Sequence, residues 1–187
     1  MPLDRAPALG HSLAVVYARS GAYYVPVGHG QSKSTQAQGS GDTRYALFDL
    51  RTAGAVTFDR IGCETTTSPG SGNVRLGIYN CGDNGLPSTV ALDAGQVDSA
   101  TAAVKEITIS HTLTPGRYWL VIASQGATVS IRTIAHAVAA QFGIGSAASA
   151  AGAGISLLST GITGTFANTP TVTATGDGLP VIFLRAA

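Results

Sequence analysis

The residues of this chain that could carry out chemistry are few and fall into no catalytic pattern. Ten carboxylates, four histidines and two cysteines are spread over 187 residues. Hydrolysis of a glycosidic bond needs two carboxylates that face each other across a cleft, and no pair of acids here is spaced to suggest one. The paired histidines of a metal site and the Gly-x-Ser-x-Gly turn of a nucleophilic serine are also absent. The sequence therefore predicts a protein that is not an enzyme and that holds no metal ion or cofactor.

Two short patterns resemble binding motifs without the context that such motifs need. Residues 143–148 match the G-x-G-x-x-A fingerprint of dinucleotide-binding proteins, but the next acid is Asp177 and no βαβ pattern surrounds them, which makes the match a coincidence. Asp83 and Asn84 could ligate Ca²⁺ or hydrogen-bond a sugar, although an ordinary turn is the simpler interpretation. The histidines, at positions 11, 29, 111 and 136, are too dispersed to indicate a site.

The aromatic residues offer a weaker indication of binding. Trp119 is the only tryptophan and could stack on a sugar ring. It lies within an apolar run, residues 118–122, so packing in a core or an interface is the better interpretation. Tyr23 and Tyr24 are better candidates for surface or interface aromatics. The sequence therefore identifies no specific ligand-binding residue.

The two cysteines, Cys63 and Cys81, lie on or just after two segments with strong strand patterns. If these segments pair as a hairpin with their apolar residues on one face, the cysteines point to opposite faces because side chains alternate along a strand. We therefore expect two free thiols, one of them a small core residue. The hairpin has its turn at residues 69–70. Its predicted cross-strand pairs are Ile61 with Ile78, Cys63 with Leu76, and Thr65 with Val74.

Composition excludes some partners and favours assembly. Only 11% of residues are charged, against about 25% in typical proteins. The net charge is +1 and the basic residues are scattered, so nothing indicates nucleic-acid or anionic-membrane binding. Low charge weakens the repulsion that keeps proteins apart, which favours burial of surface in an assembly.

No membrane span and no signal peptide are expected. Residues 137–158 are long enough to cross a bilayer, but they are mostly Ala, Gly and Ser, contain Gln141 and have no flanking basic anchors. The first five residues lack the basic start and apolar run of a secretory signal.

The pattern of apolar residues predicts an all-β fold. Eight or nine short strands with turn residues between them favour an antiparallel β-sandwich of jelly-roll type. Residues 28–42 are polar and rich in Gly, Ser and Gln, which predicts a loop or linker. We therefore divide the chain into an N-terminal anchor segment, 1–43, and a sandwich domain, 44–187. The predicted strands are residues 44–50, 55–66, 72–79, 90–97, 104–113, 116–123 and 129–134, with shorter candidates at 162–166, 170–174 and 179–185.

From residue 44 onward the chain resembles the C-terminal β-sandwich domain of phage fibre and minor tail proteins. Structural residues carry the resemblance, and no catalytic signature accompanies them. The matching segments are 58–62 (FDRIG), 74–79 (VRLGIY), 85–87 (GLP), 92–95 (LDAG), 104–108 (VKEIT), 113–120 (LTPGRYWL) and 184–187 (LRAA). One departure is that about 43 residues precede the domain, where such fibres usually carry a long shaft.

The resemblance implies a virion structural protein displayed on the particle, often as a homotrimer, that contacts host-surface glycans. Its N-terminal segment would attach to other virion proteins, in the tail tip, a tail fibre, a head fibre or the capsid decoration. Two alternatives stay open from the residues. One is a stand-alone carbohydrate-binding module, and the other is a polysaccharide-degrading enzyme.

Overall fold

The computed structural model describes residues 18–26, 33–134, 156–175 and 178–187. These residues form thirteen strands and no helix. The strands are β1 (Tyr23–Tyr24), β2 (Lys33–Gln38), β3 (Thr43–Leu50), β4 (Val56–Thr65), β5 (Asn73–Cys81), β6 (Pro87–Asp98), β7 (Ala103–Leu113), β8 (Gly116–Gln125), β9 (Val129–Ile134), β10 (Ser156–Ser159), β11 (Thr173–Thr175), β12 (Leu179–Pro180) and β13 (Ile182–Ala186).

The strands form two antiparallel sheets, which confirms the predicted sandwich. The front sheet has the order β1-β13-β4-β9-β12, with β7 paired to β4 and β2 paired to β9. The back sheet has the order β11-β10-β3-β8-β5-β6. The most apolar predicted strand, β8, is central in the back sheet, between β3 and β5. Burial on both faces explains its unbroken apolar sequence.

The main core lies between the sheets and follows from alternation along each strand. Phe58, Ile61 and Cys63 of β4 point inward and are no more than 1% exposed. They share a cluster with inward residues of β5, β8 and β13. Because side chains alternate, the residues between them in β4 and β13 point to the outer face of the front sheet.

A second core covers the other face of the back sheet. It contains Trp119, which is fully buried and donates its indole N–H to the carbonyl of Gly85 at 3.2 Å. Residues 160–172, which we term the strap, supply Phe166, Ile162 and Val172 to this cluster. The packed interpretation of Trp119 is confirmed, so the tryptophan is not a surface platform. The remaining buried members are Tyr45, Leu47, Tyr79, Val121, Ala123 and Leu157.

The predicted β4–β5 hairpin is wrong. These strands belong to different sheets, since β4 pairs with β7 and β13 whereas β5 pairs with β6 and β8. The two free thiols are nevertheless confirmed. Cys63 is buried in the main core, and burial raises its pKa to about 12, while Cys81 packs beside the second core.

The other differences between the predicted and the observed strands lie in polar or short segments. The predicted loop at 28–42 is wrong at Lys33–Gln38, which form β2 and pair with β9. Strand β10 was not predicted, residues 162–166 form no strand, and the candidate at 170–174 is reduced to β11. Both β1 and β2 join the front sheet, and the boundary at residue 44 stays a prediction.

Several predicted features lie outside the described residues. They are the histidines at 11, 29 and 136, the G-x-G-x-x-A match at 143–148 and most of the apolar stretch at 137–158. In the part of the chain that the structure does describe, there is no helix with the length and apolarity needed to cross a membrane.

Candidate functional site

Four of the described carboxylates are paired with arginines. A general acid needs a raised pKa, whereas arginine partners lower the pKa of Asp59 and of Glu64. No group of His, Cys, Asp and Glu among the described residues could hold a metal ion. The ion pairs are Asp49–Arg51, Asp59–Arg185 and Glu64–Arg132, each 2.6 Å long, and Asp93–Arg75 at 2.8 Å.

Asp83 and Asn84 occupy the turn between β5 and β6, as the simpler interpretation predicted. Both are exposed, and the Asn84 Oδ1 accepts a hydrogen bond from the backbone N–H of Leu86 at 3.0 Å. His111 is half-buried on the inner face of β7, where burial lowers its pKa. These residues do not come together in a site.

The outer face of the front sheet carries an aromatic pair, an exposed tyrosine beside a half-buried phenylalanine. In β13, Ile182 and Leu184 are fully buried and point inward. Side chains alternate along the strand, so Phe183 and Arg185 point outward. Tyr23 of β1 is paired with Arg185 and is 55% exposed. Its ring meets Phe183 edge-on, with centroids 5.3 Å apart and planes at 77°. We term Tyr23, Phe183 and the Gly62 beneath them the platform.

Gly62 is what allows Phe183 to lie flat against the sheet. The two residues are cross-strand partners in β4 and β13. A Cβ at position 62 would overlap the Phe183 ring and come within 2.6 Å of the Lys105 backbone carbonyl. The missing side chain therefore makes a recess that only glycine provides, and the phenylalanine ring fills it.

Two bidentate ion pairs border the platform. Arg185 donates through Nε and Nη2 to Asp59 at 2.9 and 2.6 Å. Arg132 donates in the same way to Glu64 at 2.9 and 2.6 Å. The third border is Glu106 of β7, whose Oε1 accepts a hydrogen bond from the Tyr23 hydroxyl at 3.4 Å. We term these residues the frame.

The frame predicts a loss of stability in acid. Hydrogen bonds from Arg185 and Arg132 lower the pKa of Asp59 and Glu64 below their ordinary values of 3.8 and 4.5. The unfolded chain then binds more protons than the fold, so the contribution is full above those ordinary values and is lost as the pH falls through the lowered ones. We expect the melting temperature to drop between about pH 5 and about pH 3, and to drop less in a D59N/E64Q variant. An equal drop in both proteins would contradict this role.

Replacing Gly62 with alanine is expected to destabilise the protein by about 1–3 kcal/mol, because the added methyl has to displace the Phe183 ring or the β7 backbone. Gly54→Ala is the matched control, since a Cβ at Gly54 meets nothing within 4 Å. Urea unfolding of both variants measures the difference. Equal stability of the two variants would mean that the recess is not needed.

Sequence reasoning found one half of the aromatic pair. Both tyrosines were predicted as surface or interface aromatics. Tyr23 is exposed, whereas Tyr24 is half-buried, points inward and packs edge-on against Phe58 at 5.7 Å. Phe183 was assigned to the closing strand without a role. The alternation of side chains along β13 could have indicated its position. A large aromatic residue between two buried aliphatic residues of a strand must point to the opposite, outer face.

A small cleft lies beyond the platform, on the inner side of β1. It has a volume of about 210 Å³ and is lined by Tyr24, Asp49, Leu50, Arg51 and Thr52. The Arg51 Nε donates to Asp49 Oδ2 at 2.7 Å, so the one ion pair of the cleft is internally satisfied. The cleft has room for a small group only, and its lining holds no charged residue outside that pair.

Comparison with known proteins assigns no family to this chain. No protein-family model matches the sequence, and no curated protein matches it. Among solved structures, the chain is similar to the cysteine protease and lectin-like domains of Cwp84, a surface layer associated protein of Clostridium difficile, with 13% identity and a TM-score of 0.49. The match covers 82% of this chain and 36% of the other, so the chain spans about a third of that protein's length. At this level of similarity no residue role passes from one protein to the other.

Proposed function

We propose that this chain is a non-catalytic carbohydrate-binding module and that the platform is its binding surface. The observation that supports this proposal is the exposed Tyr23 ring set beside Phe183 inside a frame of bidentate ion pairs. Sugars present C–H groups on their ring faces and hydroxyls around their edges. An aromatic surface with polar groups at its border complements both, and Tyr combines an apolar ring with a polar tip.

The dimensions of the frame suit an oligosaccharide. Arg60, Gly62 and Glu64 follow each other at every second position of β4, so they lie on the same face at intervals of roughly 7 Å. The polar borders on the two sides of the platform are therefore roughly 13 Å apart. That span is comparable to a di- or trisaccharide lying across the sheet.

A flat and open surface of this kind gives weak binding at each site. Display of several copies on one particle would raise the overall affinity without any new contact. The resemblance of residues 44–187 to phage fibre domains and the low charge of the chain support display on a virion, as a homotrimer attached through its N-terminal segment. Light scattering tests the trimer, since a monodisperse monomer at high concentration would contradict it. Immunogold labelling of particles tests the location.

Binding to immobilised glycans tests the proposed function directly. We expect the wild-type chain to bind at least one class on a panel of neutral and acidic oligosaccharides, Tyr23→Ala to lose that binding, and Gln96→Ala to keep it. Gln96 is exposed on β6 of the back sheet, away from the platform and the frame. Absence of binding to every glycan, or equal binding by both variants, would overturn the proposal.

A further inference from the structure

We infer that the platform selects an uncharged glycan with adjacent hydroxyls over an acidic polysaccharide. This inference rests on the proposed function and names the ligand class of the same surface. It follows from the state of the charges around Tyr23 and Phe183, which are mostly neutralised within the protein.

Two of the three arginines near the platform are already engaged by carboxylates. Arg185 and Arg132 each use two N–H groups on a single carboxylate, and both pairs are about one-quarter to one-third exposed. An anionic sugar would have to compete with Asp59 or Glu64 for a guanidinium that is held in ideal bidentate geometry. It would also approach a carboxylate of its own sign.

The remaining charges on the face oppose one another. Arg60 points outward opposite Thr108, and its Nη1 donates to the backbone carbonyl of Asp59 at 2.9 Å. Glu106 is exposed on β7, across Gly62 from Phe183. Lys33 adds one positive charge on the edge strand β2, beyond the Glu64–Arg132 pair, where it helps to lower the pKa of Glu64. Arg60 and Glu106 oppose each other close to the aromatic rings, and Lys33 leaves a net charge of +1 at the edge, so a ligand over the rings would meet a weak field.

The paired groups keep hydrogen-bonding capacity that suits adjacent hydroxyls. A guanidinium has five N–H donors, of which each bidentate pair uses two, and a carboxylate has about four acceptor positions. Each ion pair therefore offers a donor and an acceptor side by side. Two neighbouring sugar hydroxyls can accept from the first and donate to the second without disturbing the ion pair.

Titration calorimetry with neutral and acidic oligosaccharides of equal length tests this inference at low and at high NaCl concentration. We expect neutral ligands to bind with less than about a twofold change in Kd between the salt conditions, because neutral contacts are not screened. Acidic ligands are expected to bind at least about tenfold more weakly. Tyr23→Ala, measured in parallel, identifies binding that takes place on the platform.

The outcomes separate this inference from the function on which it rests. Preference for the acidic ligand, with affinity that falls tenfold or more in high salt and depends on Tyr23, would overturn the inference and leave carbohydrate binding intact. Binding of neither ligand would overturn both. An oligomer that Tyr23→Ala dissociates would identify the occupant as a second copy of the chain and would also overturn both.

Discussion

Replacing Tyr23 with alanine is expected to weaken glycan binding by at least about tenfold, which corresponds to about 1.4 kcal/mol. The ring supplies the most exposed aromatic surface near the frame, and aromatic residues commonly dominate binding energy. Because the side chain is 55% exposed, the free energy of unfolding is expected to change by no more than about 0.5 kcal/mol. Calorimetric titration of the best ligand and urea unfolding measure the two effects separately.

The Tyr23→Phe variant separates the contribution of the aromatic ring to glycan binding from the contribution of the hydroxyl. Tyr23→Phe keeps the ring beside Phe183 and removes the hydroxyl, with its 3.4 Å contact to Glu106 and its interaction with Arg185, so we expect it to keep most of the affinity. Gln96→Ala changes an exposed residue on β6 of the back sheet, which carries no platform or frame residue, and is expected to bind like the wild type. Wild-type affinity in Tyr23→Ala would contradict the assignment of the platform.

Replacing Asp93 with alanine is expected to cost about 2–4 kcal/mol of stability, a fall in melting temperature of roughly 4–16 °C. Asp93 accepts three hydrogen bonds from Arg75, at 2.8–3.0 Å, and one from the backbone N–H of Phe166 at 3.1 Å. The Arg75 side chain is only 12% exposed and also lies over the Phe166 ring. Without Asp93, a largely buried cation loses its partner and the strap loses an anchor.

The Asp49→Ala variant is a matched control for this prediction. Asp49 also pairs with an arginine, but the Arg51 side chain is 56% exposed and stays hydrated when its partner is removed. We expect that change to cost no more than about 1 kcal/mol. Equal destabilisation by the two variants would mean that the strap does not depend on the Arg75–Asp93–Phe166 contacts.

The strap also bears on the location of the binding surface. It covers Trp119 and Tyr79, and the Tyr79 hydroxyl donates to the Ala167 carbonyl at 2.8 Å. While the strap is in place, the aromatic residues of the back sheet are not available to a ligand. The front sheet carries the exposed Tyr23 and the half-buried Phe183 on a face that no strap residue covers, because the strap packs on the back sheet.

The sequence was sufficient to predict the strands that are buried on at least one face. From β3 to β9, each predicted segment matches an observed strand to within a few residues, because alternation or an apolar run marks burial directly. Strand β2 has neither an alternating pattern nor an apolar run. Its sequence, KSTQAQ, is polar, and only Gln38 in it is buried, so the pairing with β9 depends on contacts distant in sequence.

Strand pairing was harder to predict than strand position. The apolar faces of β4 and β5, with inward residues such as Ile61 and Ile78, fit two arrangements equally well. The strands could pair within one sheet, or they could pack against each other from opposite sheets, because both arrangements require one apolar face on each strand. The chain crosses between the sheets after β4, and no local turn residue records that crossing. For the same reason the sequence did not predict a role for Phe183. Its place beside Gly62 depends on the register of β13 with β4 and on the recess at Gly62.

An NMR titration of the labelled protein with its best neutral oligosaccharide tests the central claim most directly. We predict that backbone amide shifts concentrate at Tyr23, Gly62, Phe183 and Arg185 and saturate with a single Kd. Shifts that concentrate instead at the cleft formed with Asp49 and Arg51, or at the strap, would contradict the account, and so would an unchanged spectrum at saturating ligand.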